Sequence, residues 1–471
     1  MPPVAAGPRK PWAGLPLLLA ALGFATDWAL YWPGQMSFDS AYAWWQARGE
    51  TVTDVASPTL IALWRITDRL YAGPGPVFAL HLAMFWSGLA LLAGGLRIGT
   101  AWRVALLACG ALPIVLVLRG HVWTDVGMLG ALLLACGLLA RAQAGRRAAL
   151  WAVPPVLLYA LGMRHNAVLA VAPIVAAWAW LAWPRGGIGR RVGSGLLTLA
   201  ALLAAVTAIN RQARSHVPLW PILAQGDLAA LSIASGRVLL PAFSVGPTLD
   251  VAELAEVSRP WSVTAMLQNN RSGIRDPLGE WPAEDLRVLR ETWFDAIRAD
   301  PVAYLAHRWR VTRALFGTQP REWPATLLYV DAQIGYRDNP PVAPNDGAAH
   351  RALMRWVEAW RPTAVFAIWP YLLIGLAAAP LAWRRRAAFP ATAALYLLAS
   401  AWLYALPYPL LAPSAELRYL GWSCLASVLA AILALAARPA PHAVQRPPGA
   451  YFVDARAGRS GAGGASTTTT E

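Results

Sequence analysis

Residues 364–406 read AVFAIWPYLLIGLAAAPLAWRRRAAFPATAALYLLASAWLYAL. Two apolar stretches, Ala364–Trp383 and Ala387–Leu406, flank three consecutive arginines, Arg384, Arg385 and Arg386. Each stretch has the roughly 20 residues that a helix needs to cross the hydrocarbon core of a bilayer, and neither contains Asp, Glu, Lys or Arg. The triplet between them reads as a short loop joining two antiparallel membrane helices. An excess of Arg in such a loop marks the cytoplasmic side.

The same grammar extends outward in both directions. Candidate spans are Pro11–Trp32, Pro76–Leu96, Ala101–Leu118, Val122–Ala140, Ala148–Met163, Ala167–Trp183 and Val192–Ile209 before the quoted pair, and Leu417–Ala437 after it, ten in all. Alternate connections hold Arg9 and Lys10; Arg97 and Arg103; Arg141, Arg146 and Arg147; Arg185, Arg190 and Arg191; Arg384 to Arg386; and Arg438, with no acidic residue among them. Ten spans with this alternation put both termini in the cytoplasm. Arg9 and Lys10 ahead of Trp12–Trp32 resemble a signal peptide, but that stretch is long for one and lacks a small-residue exit site, so it reads as an uncleaved first span.

Composition agrees. Of 471 residues 57% are hydrophobic and only 14% charged, where soluble domains carry about 25% charged residues; mean hydropathy is +0.43. A purely soluble or intrinsically disordered chain is excluded on these values. The 25 Trp residues suit two water–membrane interfaces. A formal charge of +15 would point to nucleic acid in a soluble protein. Here the surplus sits in short basic loops, so the expected partners are membrane lipids and no nucleic acid. Cys109, Cys136 and Cys424 lie inside apolar runs and read as inert buried thiols.

The expected fold class is therefore an all-α polytopic membrane protein of about ten transmembrane helices with a mainly helical external, periplasmic region. Its parts are an N-terminal membrane region, 1–209, with an external loop at 33–75; an external domain or long loop, 210–361; a C-terminal membrane region, 362–437; and a Pro-, Gly- and Ser-rich tail, 438–471, expected to be disordered. Within the external region, periodicity predicts a helix over Ala283–Ala299 and a second from Pro301 to Phe316.

No phosphate-binding Walker loop, dinucleotide-binding glycine pattern, zinc-protease HExxH or GxSxG elbow occurs. The polar residues that could carry chemistry collect at one set of span ends. Ser37 is placed to cap a helix starting near Asp39, whose carboxylate the helix dipole would keep ionised. Asp39 then either completes that helix end or serves as a base or metal ligand. Asp54 precedes Pro58–Tyr71, whose Leu60, Leu63, Trp64, Thr67, Leu70 and Tyr71 share one face, as expected of an amphipathic helix on the outer leaflet. Asp125 lies at the outer end of the fourth span; it is a functional candidate, or else pairs with Arg119 or caps the span. Arg164 and His165 follow the fifth span, and Glu416, Arg418 and Tyr419 enter the tenth. Asp27 sits about one turn inside the first span, as an interior partner for one of these arginines or snorkelling outward. Arg308, Arg310 and Arg313 beside Trp309 suit lipid phosphate or form a solvated basic face.

A carboxylate and arginines at a membrane edge suit a reaction whose leaving group is a lipid phosphate. That group leaves as an anion without a proton, so one carboxylate to activate an acceptor hydroxyl and cations to hold the phosphate suffice. The acidic residue of the first external loop, a second at the junction of the third and fourth spans, the large late external region and Glu416-Leu417-Arg418-Tyr419 before the last span resemble the GT-C superfamily of integral-membrane glycosyltransferases. That resemblance implies a polyprenyl-phosphate-linked sugar donor, transfer on the outer face of the inner (cytoplasmic) membrane with inversion, and a glycan, lipid or protein acceptor. It implies Asp39 and Asp125 as the catalytic acidic residues and Arg418 as the arginine meeting the donor phosphate. Tyr419, Glu416, Arg164, His165 and Arg308 complete the expected substrate-binding set. Many members carry a pair of acidic residues at the second position, where this chain has only Asp125. The cofactor is left unassigned: a divalent metal on Asp39 and Asp125 is compatible with the pattern but not required. A lipid-linked polysaccharide polymerase or ligase is the nearer alternative, and a transporter the more distant one.

Overall fold

The computed structural model describes residues 14–49, 52–259, 261–263, 266, 273–318 and 333–437; the tail expected to be disordered lies outside them. The described residues are helical and form no β-strand. The chain runs through α1 (Leu15–Tyr31), α2 (Phe38–Arg48), α3 (Pro58–Asp68), α4 (Gly75–Gly95), α5 (Thr100–Ala108), α6 (Pro113–Leu118), α7 (Thr124–Gln143), α8 (Ala149–Met163), α9 (Val168–Ala182) and α10 (Ile188–Asn210). Then follow α11 (Trp220–Ser235), α12 (Val251–Val257), α13 (Ala283–Ala299), α14 (Pro301–Phe316), α15 (Ala348–Trp360), α16 (Trp369–Arg384), α17 (Phe389–Ala405), α18 (Tyr408–Leu411) and α19 (Gly421–Ala436).

Among the described residues six helical stretches are long and apolar enough to cross a membrane: Gly75–Gly95, Thr124–Gln143, His165–Ala182, Ile188–Asn210, Phe389–Leu411 and Leu417–Ala436. Leu15–Tyr31, Thr100–Ala111 and Ala149–Met163 are shorter apolar helices. The expected span Ala101–Leu118 is not one helix. It breaks at Leu112, which turns extended at ψ 127° before Pro113 restarts the chain. Proline disfavours helical backbone in the residue before it and cannot donate to the preceding turn. The expected span Ala364–Trp383 likewise shortens to α16, with Pro370 in its first turn.

The tightest pairing is α4 against α7, and glycine sets its closeness. A Cβ on Gly88 would lie 2.7 Å from the Leu134 amide nitrogen, and one on Gly137 only 2.6 Å from the Gly88 carbonyl oxygen. Small residues let membrane helices approach backbone to backbone, where dispersion replaces the hydrophobic effect as the source of attraction. Helices α16 and α17 close the other half of the bundle against α19.

An ion pair sits inside this packing. Arg119 Nη1 lies 2.8 Å from Asp27 Oδ2, with neither side chain more than 2% exposed. Trp86 Nε1 donates to the same carboxylate at 2.7 Å, and Arg119 Nη2 also donates to the Gly110 carbonyl. Asp27 is thus an interior partner rather than a snorkelling group, and Arg119, one expected partner of Asp125, is already engaged.

Two expectations change here. Helix α3 ends at Asp68, so Leu70 and Tyr71 fall beyond it and are exposed. It buries Leu60, Ile61 and Trp64 in the protein core, and Arg65 is bonded to the carbonyls of Ala47 and Gly49 near the end of α2. Its apolar stripe therefore faces protein rather than a leaflet. Ser37 does stand at the N-cap of α2 but does not cap it; its hydroxyl accepts a 2.7 Å bond from Trp123 Nε1 instead.

A second, smaller apolar core joins α11, α12 and α13 through Leu228, Leu254 and Leu289. Helices α13 and α14 occupy the segments that periodicity predicts. Asp300 caps α14, its Oδ1 accepting from the Ala303 amide at 2.9 Å.

Candidate functional site

The loop ahead of α2 is stitched to the junction between α6 and α7. Gln35 N donates to the Gly120 carbonyl at 2.8 Å, Val122 N donates back to the Gln35 carbonyl at 3.0 Å, and Ser40 Oγ donates to the Val122 carbonyl. With the Trp123–Ser37 bond, this brings the first turns of α2 and α7 together. Asp39 stands in one and Asp125 in the other.

Each carboxylate holds an arginine. Arg418 Nη1 donates to Asp39 Oδ2 at 2.5 Å while its Nε donates to Glu416 Oε2 at 2.5 Å. Arg164 Nη1 donates to Asp125 Oδ2 at 2.8 Å. The Tyr419 ring lies between the two guanidiniums, 5.3 Å from Arg164 Cζ and 5.6 Å from Arg418 Cζ. Tyr408 stacks on Tyr419, donates to the Tyr404 hydroxyl at 3.0 Å and accepts from Asn166 Nδ2 at 2.7 Å. Trp123 covers Arg418 from another side, with 5.1 Å from Cζ to the ring centroid. Three carboxylates and two guanidiniums thus share one locus, fixed by an aromatic frame that restricts their rotamers.

Exposure separates their roles. The side chain of Asp125 is 3% exposed and that of Arg418 11%, whereas that of Asp39 is 58% exposed. Asp39 is the carboxylate an incoming hydroxyl can reach. Its charge is set by opposing effects. Desolvation by its surroundings pushes its carboxyl upward, but the charge and hydrogen bond of Arg418, with the charge of Arg164, reverse this and hold it below its ordinary value. His121, stacked on Trp123 at 3.9 Å, is pushed down to about 3 by burial and so stays neutral near pH 7. Asp39 is therefore an accessible carboxylate whose carboxyl is held below its ordinary value, and Arg418 and Arg164 are the cations beside it.

The cluster gathers Asp39, Asp125, Arg164, Glu416, Arg418 and Tyr419. His165 and Arg308 stand elsewhere. His165 is exposed, its Nε2 2.8 Å from Asn210 Nδ2 at the end of α10. Arg308 is 3% exposed and committed to Asp227 at 3.2 Å and to the carbonyls of Pro409 and Ala412. It fastens α14 to α11, with His307 and Trp293 on the same carboxylate. Asp54 is likewise a fastener, accepting from Val217 N at 2.7 Å and lying 2.9 Å from His216 Nδ1. The aromatic frame of Trp123, Tyr404 and Tyr408 went unmarked in the sequence. The pair of tyrosines four residues apart at the end of an apolar run, one helical face, is the signal that could have revealed it.

A divalent metal does not fit these residues. Asp39, Asp125 and Glu416 each already hold a guanidinium, and among the described residues no three His, Cys, Asp or Glu side chains come together as a ligand set. No protein-family model matches the chain, and neither does any curated protein or solved structure.

Proposed function

We propose that this chain is an integral-membrane glycosyltransferase of the GT-C kind, moving a sugar from a polyprenyl-phosphate donor to an acceptor hydroxyl with inversion. The reading includes about ten spans in the inner membrane, both termini cytoplasmic, and the Asp39 cluster and the 210–361 region on the external face. Its acceptor is a cell-envelope glycan, a lipid or a protein. One observation carries it: an accessible carboxylate is paired at 2.5 Å with an arginine beside a second arginine, at the end of a bundle of apolar helices.

In this reading the donor phosphate displaces Asp39 from Arg418 and settles against Arg418 and Arg164. Arg418 suits the exchange because its planar fork binds carboxylate and phosphate oxygens alike. The freed Asp39 carboxylate takes the proton of the acceptor hydroxyl as that oxygen bonds to the anomeric carbon. The bond from that carbon to the phosphate oxygen breaks, and its electrons leave with the lipid phosphate, whose charge the arginines stabilise. The sugar inverts because the hydroxyl enters opposite the departing phosphate. Asp125 holds Arg164, and Glu416 holds Arg418, in position throughout.

The test is reconstitution of the purified chain in liposomes with a panel of synthetic polyprenyl-phosphate sugars, following release of lipid phosphate and labelling of acceptors. Turnover of at least one donor, lost in Asp39→Asn, supports the proposal. Absence of turnover across the panel, alongside binding of none of the donors, removes it.

A further inference from the structure

At the end of the bundle away from Asp39, several arginines are occupied by helix ends. Arg385 Nη1 donates to the carbonyls of Ala434, Leu435 and Ala437 at the end of α19. Arg147 does the same for Leu181 and Ala182 at the end of α9, and Arg191 for Trp183 and Pro184. These are the positions where a cation satisfies orphan carbonyls and meets the negative end of the helix dipole. Arg97 and Arg386, like Arg146, Arg185 and Arg384, are exposed and have no carboxylate partner among the described residues; what sets these two apart is their place beside a concave surface. Arg386 Nη1 donates to the Trp383 carbonyl at 3.0 Å, and its guanidinium lies over the Trp383 ring, 4.6 Å from Cζ to the centroid.

Both border a concave surface. A pocket of about 400 Å³ is lined by Arg97, Gln143, Ala144 and Phe389. An apolar groove of about 640 Å³ between α9 and α17 adjoins it, sharing Gln143 and Phe389 and adding Arg386 at its mouth. Its walls are Pro173, Ala177 and Leu181 on one side and Leu395 and Ala399 on the other. From Phe389 to Ala399 a helix rises about 15 Å, half of the roughly 30 Å of hydrocarbon in a bilayer. Along α7, Gln143 stands about 27 Å from Asp125, so this pocket and the Asp39 cluster sit at opposite ends of one membrane-length helix.

We propose that this surface is a binding site for an anionic phospholipid, its phosphate between Arg97, Gln143 and Arg386 and one acyl chain along the groove. Charge complementarity selects this occupant. The surrounding loops hold no Asp or Glu to neutralise the two cations, and basic pockets between membrane helices suit anionic headgroups. The groove is mainly apolar for one leaflet's depth, with Thr392 and Tyr396 among its lining, and carries its charge at its mouth, as a headgroup joined to an acyl chain requires. The site does not depend on the proposed sugar transfer.

Native mass spectrometry of the full-length protein in detergent tests it, with phosphatidylglycerol and phosphatidylcholine carrying the same acyl chains. Two basic side chains near a surface, each contributing about fivefold, give phosphatidylglycerol a preference of about twenty-five-fold. Arg97→Gln with Arg386→Gln should erase that preference and leave phosphatidylcholine retention unchanged. Ala177→Trp, which fills the groove while keeping both arginines, should weaken both lipids. Asp39→Asn should retain phosphatidylglycerol as the wild type does, which separates this site from the transfer reading. Equal retention of the two lipids by the wild type, or a preference that survives loss of both arginines, overturns the proposal. So does competition by free glycerol phosphate as strong as by phosphatidylglycerol, since that would make the groove irrelevant. Should Ala177→Trp fail to fold, the arginine pair still decides.

Discussion

Arg418 reaches Asp39 across 379 positions of chain and closes on it at 2.5 Å. The bond joins the start of α2 to the turn that enters the last helix, so the first and last parts of the membrane bundle meet at one carboxylate. It also presets the charge state of both partners. Arg418 holds the Asp39 carboxyl below its ordinary value, and Asp39 and Glu416 in turn grip two nitrogens of Arg418.

Asp39→Asn keeps size and a hydrogen-bonding group but removes the base. The transfer rate should fall by about a hundredfold or more, the range for losing a general base, while donor binding changes far less. Single-turnover transfer against donor titration separates the two. An Asn variant transferring at the wild-type rate would remove Asp39 from the chemistry and leave Asp125 as the next candidate.

The pH profile carries the sign of the same pairing. Arg418 and Arg164 hold the Asp39 carboxyl below its ordinary value against the upward pull of desolvation. The acidic limb of kcat/KM should therefore lie below the roughly 3.9 of a free Asp. In Arg418→Gln that pull is less opposed, and the limb should move to higher pH. Linkage runs the same way: a depressed carboxyl contributes stability that is present above its unfolded value and lost as pH falls through its folded one. Wild type should thus lose stability relative to Asp39→Asn only on the acid side of about pH 4. A limb that stays put in Arg418→Gln would show that another group titrates.

Arg418→Lys retains the charge and loses the fork. One ammonium cannot donate to Asp39 and Glu416 in the geometry that Nη1 and Nε now share, nor meet two phosphate oxygens in one plane. The loss of a charge-assisted bond predicts a drop of about 10- to 100-fold in kcat/KM. If Lys supports full activity and Ala does not, Arg418 acts by charge alone.

Asp125, Glu416 and Arg418 stand out in the sequence because each is an ionisable residue at the end of an apolar run, where its cost in lipid demands a reason, and Asp39 because it opens a short helix in the first loop, where the helix dipole favours a carboxylate. Their pairing was not visible. Arg119 is six positions from Asp125 and Arg164 is 39, yet Arg164 is the partner. That choice depends on helix rotation, set by contacts such as Gly88 against Gly137 that no local rule encodes. Ser37 shows the same override, its capping hydroxyl drawn off by Trp123 from a distant element. In α3 the periodicity located a buried stripe but not what would cover it, because protein and lipid present equally apolar partners.

The buried pair predicts a stability effect far from the reactive cluster. Asp27→Leu would leave Arg119, 1% exposed, without its counterion, and breaking such a pair by one partner costs about 3–5 kcal/mol. Asp27→Leu combined with Arg119→Met should recover most of that loss, since an apolar replacement of a buried pair is close to neutral. Unfolding in mixed micelles measures both. A single variant as stable as wild type would mean that water reaches this pair.

The last prediction concerns which side of the membrane the cluster faces. The proposed topology, read from the basic, acid-free connections and the mixed-charge region opposite them, puts Arg384–Arg386 in the cytoplasm and residues 210–361 outside. Glu284 on α13 has a side chain 67% exposed, and Arg384 is exposed at the end of α16. The native thiols at Cys109, Cys136 and Cys424 are buried, so they contribute little background. In intact cells a membrane-impermeant maleimide should label Glu284→Cys at once and Arg384→Cys only after permeabilisation. Asp39 and Arg418 lie at the opposite end of the bundle from Arg384, because α16 and α17 each run the length between them. Labelling of Arg384→Cys in intact cells would therefore turn the whole bundle over, carry the Asp39 cluster to the cytoplasmic face and end the case for transfer from an externally presented donor.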